Sequence, residues 1–111
     1  MQARDLTELI RFADEAPRIE TLLETELIWS QVVCLQGTQG MGPISDPVGD
    51  GLLVVLAGEV ALQVGKGRRR EKQWASVVVP AGQELTVTNA SPEPAVLLLV
   101  VAPPPAAAPE G

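Results

Sequence analysis

Apolar and polar positions alternate along most of this chain, and the period of the alternation changes once. Within residues 5–16, Leu6, Leu9, Ile10 and Ala13 recur at three- and four-residue spacing. That spacing makes one apolar stripe and predicts a short helix. Asp5 stands as its N-cap, Glu8 is placed for a capping-box-like pair, and Pro17 ends it. From Arg18 onward the period becomes two. Residues 18–23 and 27–35 flank the polar link Glu24-Thr25-Glu26, which predicts an antiparallel hairpin. The link holds none of the Gly, Asn or Pro of ordinary turn chemistry. On the second strand Trp29, Gln31 and Val33 share one face, and Ile28, Ser30 and Val32 share the other.

Residues 36–50 contain Gly37, Gly40, Gly42, Pro43, Pro47 and Gly49. So many breakers predict a loop. Beyond it the pattern is densely strand-like. Leu52 through Leu56 is wholly apolar, the signature of a strand buried on both faces. Val60, Leu62 and Val64 alternate with Ala61 and Gln63, so one face is buried. Gly65-Lys66-Gly67 predicts a hairpin turn, with residues 68–72 returning as a charged, exposed strand. Further strands are expected at 76–79, 84–88 and 95–101. Pro80-Ala81-Gly82 forms the turn between the first two, and residues 89–94 form the loop before the last. Many short strands with Gly/Pro turns predict an all-β sandwich or barrel. Residues 1–102 make one domain, and the Pro/Ala-rich tail 103–111 is expected to be extended and flexible.

Composition narrows the chemistry more than the fold. The chain has 111 residues, 8 Lys and Arg against 14 Asp and Glu, a net charge of −6, one Cys, and no His or Tyr. The absence of His removes imidazole metal ligands and imidazole general bases, and with them any Ser-His-Asp triad. The acidic balance opposes general nucleic-acid binding. The longest apolar stretch, near residues 95–102, falls far short of the about 20 residues a membrane helix needs. The first residues carry charges every few positions, unlike a secretory leader. These features together predict a cytoplasmic protein that binds neither nucleic acid nor membrane.

Two stretches resemble the cupin superfamily. Leu52-Leu53-Val54-Val55-Leu56-Ala57-Gly58-Glu59-Val60 is similar to the strand, glycine and acidic residue that close the first cupin motif. Val77-Val78-Val79-Pro80-Ala81-Gly82, followed by Asn89, is similar to the second motif, with Pro80, Gly82 and Asn89 at the family's spacing. The likeness covers residues 51–104 and extends more loosely back to Arg18. It implies a cupin-type double-stranded β-helix, a jelly-roll barrel, with a short N-terminal helix. It also implies a homodimer, because cupins commonly pair through an N-terminal strand and a sheet face.

Cupin metal sites draw two His and one Glu from the first motif and one His from the second. At that spacing the Glu position is Gly51, and the last His position is Leu85. The first two His positions fall on Ser45 and Pro47, or on Ile44 and Asp46 if the spacing is one longer. None carries the family's ligand. A first-row metal needs three or four N, S or O donors at about 2.0–2.3 Å. Asp46 or Asp50 adds only one or two oxygens. No metal and no cofactor is expected. Trp74 replaces the glycine that opens the second motif, and Ala75 the acidic residue beside it.

The resemblance turns Leu85 inward. Val87 and Asn89 share its face, and Leu53 and Val55 share the face of Gly51. The former metal pocket then becomes apolar, with Gln31, Ser45 and Asp46 as polar fittings. The expected ligand-binding residues are Trp29, Gln31, Ser45, Leu53, Leu85 and Val87, with no catalytic residue. Cys34, on an apolar strand without a neighbouring cation, is expected to be buried and unreactive. Glu20, Glu24, Glu26, Glu59, Glu71 and Glu84 are expected on solvated strand faces, and Lys66, Arg68, Arg69, Arg70 and Lys72 on a charged hairpin that protects an edge. Trp29 and Trp74 are candidates for a pocket, the core or a dimer interface. Three functions fit. The first is a metal-free binder of a small apolar or weakly polar molecule, serving as a sensor or carrier. The second is a metal-independent enzyme of isomerase or lyase type using carboxylates. The third is a structural homodimerisation module. The balance leans away from an enzyme.

Overall fold

Two antiparallel sheets face each other and enclose the core in a computed structural model that describes residues 1–105. The strands are β1 (Arg18–Glu24), β2 (Trp29–Leu35), β3 (Gly40–Ile44), β4 (Asp50–Ala57), β5 (Glu59–Val64), β6 (Gly67–Lys72), β7 (Ser76–Val79), β8 (Leu85–Thr88) and β9 (Ala95–Ala102). One sheet has the order β1-β2-β9-β4-β7 and the other β3-β8-β5-β6. This is a double-stranded β-helix, the all-β jelly roll that the resemblance implied. Residues 106–111, which hold most of the expected flexible tail, lie outside the described residues.

The inner faces follow the period of two. Val33 and Leu35 from β2, Leu53 and Val55 from β4, and Ala95 and Leu97 from β9 meet Val60 and Leu62 from β5 and Val87 from β8. Most of these are completely buried. Each fully buried Leu or Val contributes about 1.5–3 kcal/mol relative to exposure.

The first hairpin pairs β1 with β2 as expected. Its turn lies one step later than the sequence suggests. Thr25 supplies what Gly or Asn otherwise would: its hydroxyl accepts the backbone N–H of Leu27 at 3.1 Å and of Ile28 at 3.0 Å. At Pro80-Ala81-Gly82 the expected turn forms. Gly82 has φ +84°, and the N–H of Gln83 donates to the carbonyl of Pro80 at 3.1 Å.

Three expectations are corrected. The helix over residues 5–16 is a single 3-10 turn, Leu6–Leu9. Asp5 does cap it, accepting the N–H of Thr7 at 3.0 Å, but only the backbone of Glu8 takes part. So short a segment does not sustain an α-helix on its own. The turn and the residues after it lay Leu6, Leu9, Ile10 and Phe12 across Val32, Cys34 and Val96 on the outer face of the five-stranded sheet. The expected loop over residues 36–50 contains β3, whose pairing with β8 shifts register between Met41 and Ile44. That irregularity lets a strand carry Gly42 and Pro43. Finally, β4 is not buried on both faces: Leu53 and Val55 are buried, whereas Leu52 is exposed and Val54 half-buried. The N-terminal segment covers only part of that outer face, so the outward side chains of β4 remain partly uncovered.

Candidate functional site

The rungs of the five-stranded sheet explain where a hollow forms. Gln31 pairs across to Leu99, which pairs to Leu53, which pairs to Val77. One rung nearer the barrel mouth, Trp29, Val101, Gly51 and Val79 line up in the same way. Gly51 brings no side chain to that rung, so space remains. The result is a cavity of about 310 Å³ at the barrel mouth. Gly51, Leu99 and Val101 form its wall on one sheet, and Met41, Ile44 and Leu85 on the other. The loop Ser45–Gly49, Gln83 and Pro105 complete the rim.

Trp29, Gln31, Ser45 and Leu85, all expected at the site, stand on this wall. Gly51 and Leu85, where the resemblance would set a Glu and a His, share it. Leu53 and Val87 do not line it. Both are completely buried: Val87 lies two residues past Leu85, and Leu53, on the rung of Gln31 and Leu99, is covered by the core side chains packed around it. The sequence reading missed Met41, because its strand lies among glycines and prolines, and it named Ile44 only as an alternative motif position. It also missed Pro105, which lies in the low-complexity tail. Leu99 and Val101 were missed as well, because their strand is apolar throughout and its sequence marks no inward phase.

The acidic residues near the mouth are engaged in holding loops. One oxygen of Asp46 accepts the backbone N–H groups of Val48 and Gly49, and the carbonyl of Asp46 accepts the N–H of Gly82 at 2.7 Å. Asp50 accepts the N–H of Ala81 at 2.9 Å. Among the described residues no three His, Cys, Asp or Glu side chains come together as a group able to hold a metal ion. Glu20, Glu59 and Glu71 pair with Arg18, Arg70 and Arg69 on or beside the sheet edges. Among the described residues no acid other than Asp46 is on the cavity wall.

The remaining candidates lie elsewhere. Trp74 is 74% exposed and away from the cavity. It keeps the left-handed backbone of the glycine it replaces, with φ +78°, and its N–H donates to Val55 at 2.8 Å. Cys34 is buried, and burial pushes its thiol pKa up, against a smaller opposing backbone hydrogen bond from Arg11. Arg68 and Arg69 of the basic hairpin border a second hollow of about 340 Å³ beside Leu62, Val64 and Val77. No helix among the described residues is long and apolar enough to cross a membrane.

No protein-family model and no curated protein matches the chain. Solved structures do. TT1209 from Thermus thermophilus is 28% identical with a TM-score of 0.87, covering 93% of this chain and 98% of its own. An uncharacterized conserved protein with a double-stranded beta-helix domain, from Klebsiella pneumoniae, is 25% identical with a TM-score of 0.86, covering 93% and 90%. An RmlC-like cupin protein from Desulfovibrio desulfuricans is 24% identical with a TM-score of 0.83, covering 93% and 97%.

Proposed function

We propose that this chain, a small single-domain cupin by its fold, is a metal-free, non-catalytic protein that holds a small apolar or weakly polar molecule in the mouth of its barrel. One observation carries the reading. Where the resemblance would set a ligand Glu and a ligand His, Gly51 and Leu85 instead border a cavity of about 310 Å³. That volume lies at the small end of ordinary ligand sites, which combine apolar walls with a few polar groups. Trp29 and Leu85 supply apolar surface, and Gln31 and Ser45 the polar groups. A sensor or carrier in a reducing cytoplasm fits this arrangement, with Cys34 remaining a buried free thiol.

The donor set does not fit a first-row metal. Gly51 and Leu85 offer no side-chain donor, and one Asp46 oxygen already holds two backbone N–H groups. The same engagement weakens a carboxylate-based isomerase or lyase, because Asp46 is the one acid on the wall among the described residues. Native mass spectrometry of the purified protein tests the reading. A bound organic molecule, or its uptake on addition, is expected. A stoichiometric transition metal would overturn it.

The outer face of the five-stranded sheet supports a homodimer. Val100, Leu52 and Val78 align in one uncharged row, with Leu52 39% and Val78 64% exposed. Two copies of an acidic chain stack on such a row without opposing their like charges. Sedimentation of the wild type should give a dimer, and Val78→Glu a monomer. A monomeric wild type would leave this row without its partner.

A further inference from the structure

We infer that the cavity selects neutral molecules bearing one amide- or hydroxyl-like group and rejects anions of the same shape. This rests on the cavity-binding reading and adds the class of ligand. Of the described residues on the wall, Asp46 alone carries a formal charge, and no Lys or Arg is among them. The cations of the β5–β6 hairpin also contribute nothing to the wall. An entering carboxylate would shed water in an apolar mouth, find no counter-ion, and meet a like charge at Asp46. A neutral amide or hydroxyl meets no such penalty.

The attraction comes from Gln31. Its amide offers two donors and an acceptor, which together match a neutral group able both to give and to accept. Several other glutamine amides are engaged within the protein, and that of Gln83, on the rim, is exposed. Gln39 donates to Ala13 at 2.7 Å and accepts from Gln36 at 2.8 Å, and Gln63 donates to Gly65 at 3.1 Å. Gln31 has no such partner among the described residues, and it sits half-buried on the wall. Ser45 adds a hydroxyl at the rim. A bound neutral group therefore exchanges its water for these two side chains, while its apolar body covers Trp29 and Leu85.

Three ring-sized probes separate the parts: toluene, benzamide and benzoate, titrated at neutral pH against ¹⁵N-labelled protein. The readout is the Trp29 indole N–H resonance, with exposed Trp74 as internal reference. Toluene is expected to shift Trp29, benzamide to bind more tightly than toluene and at least tenfold more tightly than benzoate, and Gln31→Leu to abolish the advantage of benzamide over toluene. Failure of toluene and benzamide alike to move Trp29 would overturn the cavity-binding reading itself. Toluene binding with benzoate equal to or tighter than benzamide would overturn only the charge selection. Toluene binding with benzamide insensitive to Gln31→Leu would remove Gln31 as the anchor.

Discussion

The two ends of this barrel are built from the same strands and differ by single residues at matching positions. At the closed end Leu35, Val55, Val60 and Leu97 fill the interior with essentially no exposure. Asn89 ties that end together. Its amide donates to Leu35 at 3.1 Å and to Glu93 at 2.7 Å, and its oxygen accepts from Ser91 at 3.0 Å. At the open end Gly51 withholds one side chain from the rung of Trp29, Val101 and Val79, and the interior becomes a cavity. Stability and capacity to bind are thus separated along the barrel axis. The closed end is packed at crystal-like density, and the open end forgoes part of that packing.

The sharpest division should appear in large-to-small substitutions. Leu97→Ala at the closed end is expected to cost about 3–5 kcal/mol, because rigid neighbours leave a void. Leu85→Ala enlarges space that already exists, and should cost clearly less, about 2 kcal/mol at the lower edge of the range for core leucines. Urea denaturation of both variants measures the gap, and equal costs would erase the distinction. Next in size, Asn89→Ala strips the Leu35 carbonyl and the Ser91 N–H of their partners in a buried setting. About 2–3 kcal/mol should be lost.

These differences were unevenly legible in the sequence. The alternation in β5, the apolar run of β9 and the Pro80-Ala81-Gly82 turn declare buried strands and connections in purely local terms. The position of Gly51 opposite Leu85 came from the spacing of two short motifs. Three features were hidden because tertiary contacts decide them. Residues Leu6 to Phe12 follow the sheet surface over their own helical period. Strand β3 persists through glycines and a proline because β8 supplies its pairing. Leu53 and Val87 share the inward phase of the wall residues, yet the core side chains packed around them remove them from the wall, and a two-residue period carries no information about that packing.

Glycines at the two ends give a matched pair of smaller effects with opposite signs. Gly58 sits at φ +82°, and a Cβ there would lie 2.5 Å from the carbonyl oxygen of Pro94. Gly58→Ala should therefore cost about 1–3 kcal/mol. Gly51 is neither strained nor crowded: its nearest new contact would be the Val79 Cβ at 3.5 Å, ordinary van der Waals distance. Gly51→Ala should stabilise by about 0.5–1 kcal/mol, since glycine in a strand loses extra chain entropy on folding. Gly51→Leu should go further and fill the hollow, abolishing the toluene-induced shift of Trp29. A Gly51→Leu variant that still binds toluene would place the ligand space somewhere other than this rung. Thermal melts and the same titration read both consequences.

The smallest effect concerns Cys34, on the outer face beneath the N-terminal segment, and it distinguishes that cover from both barrel ends. The side chain is 1% exposed, and burial raises its thiol pKa above the ordinary value. In the folded chain the proton is therefore held to higher pH than in the unfolded chain. Where the pKa is raised on folding, its stabilising contribution is complete below the unfolded value of about 8.5 and is lost as pH rises through the folded one. Stability should be flat from pH 6 to 8 on account of this group and decline at alkaline pH. Cys34→Val, similar in volume and without a proton to lose, should flatten that decline while leaving neutral stability nearly unchanged. Thiol alkylation of the folded wild type at pH 8 should be slow, because reaction requires the Leu9 and Phe12 cover to lift. Rapid alkylation, or an alkaline slope identical in Cys34→Val, would show that the N-terminal segment does not seal this face, and the outer surface would then resemble the open mouth more than the closed end.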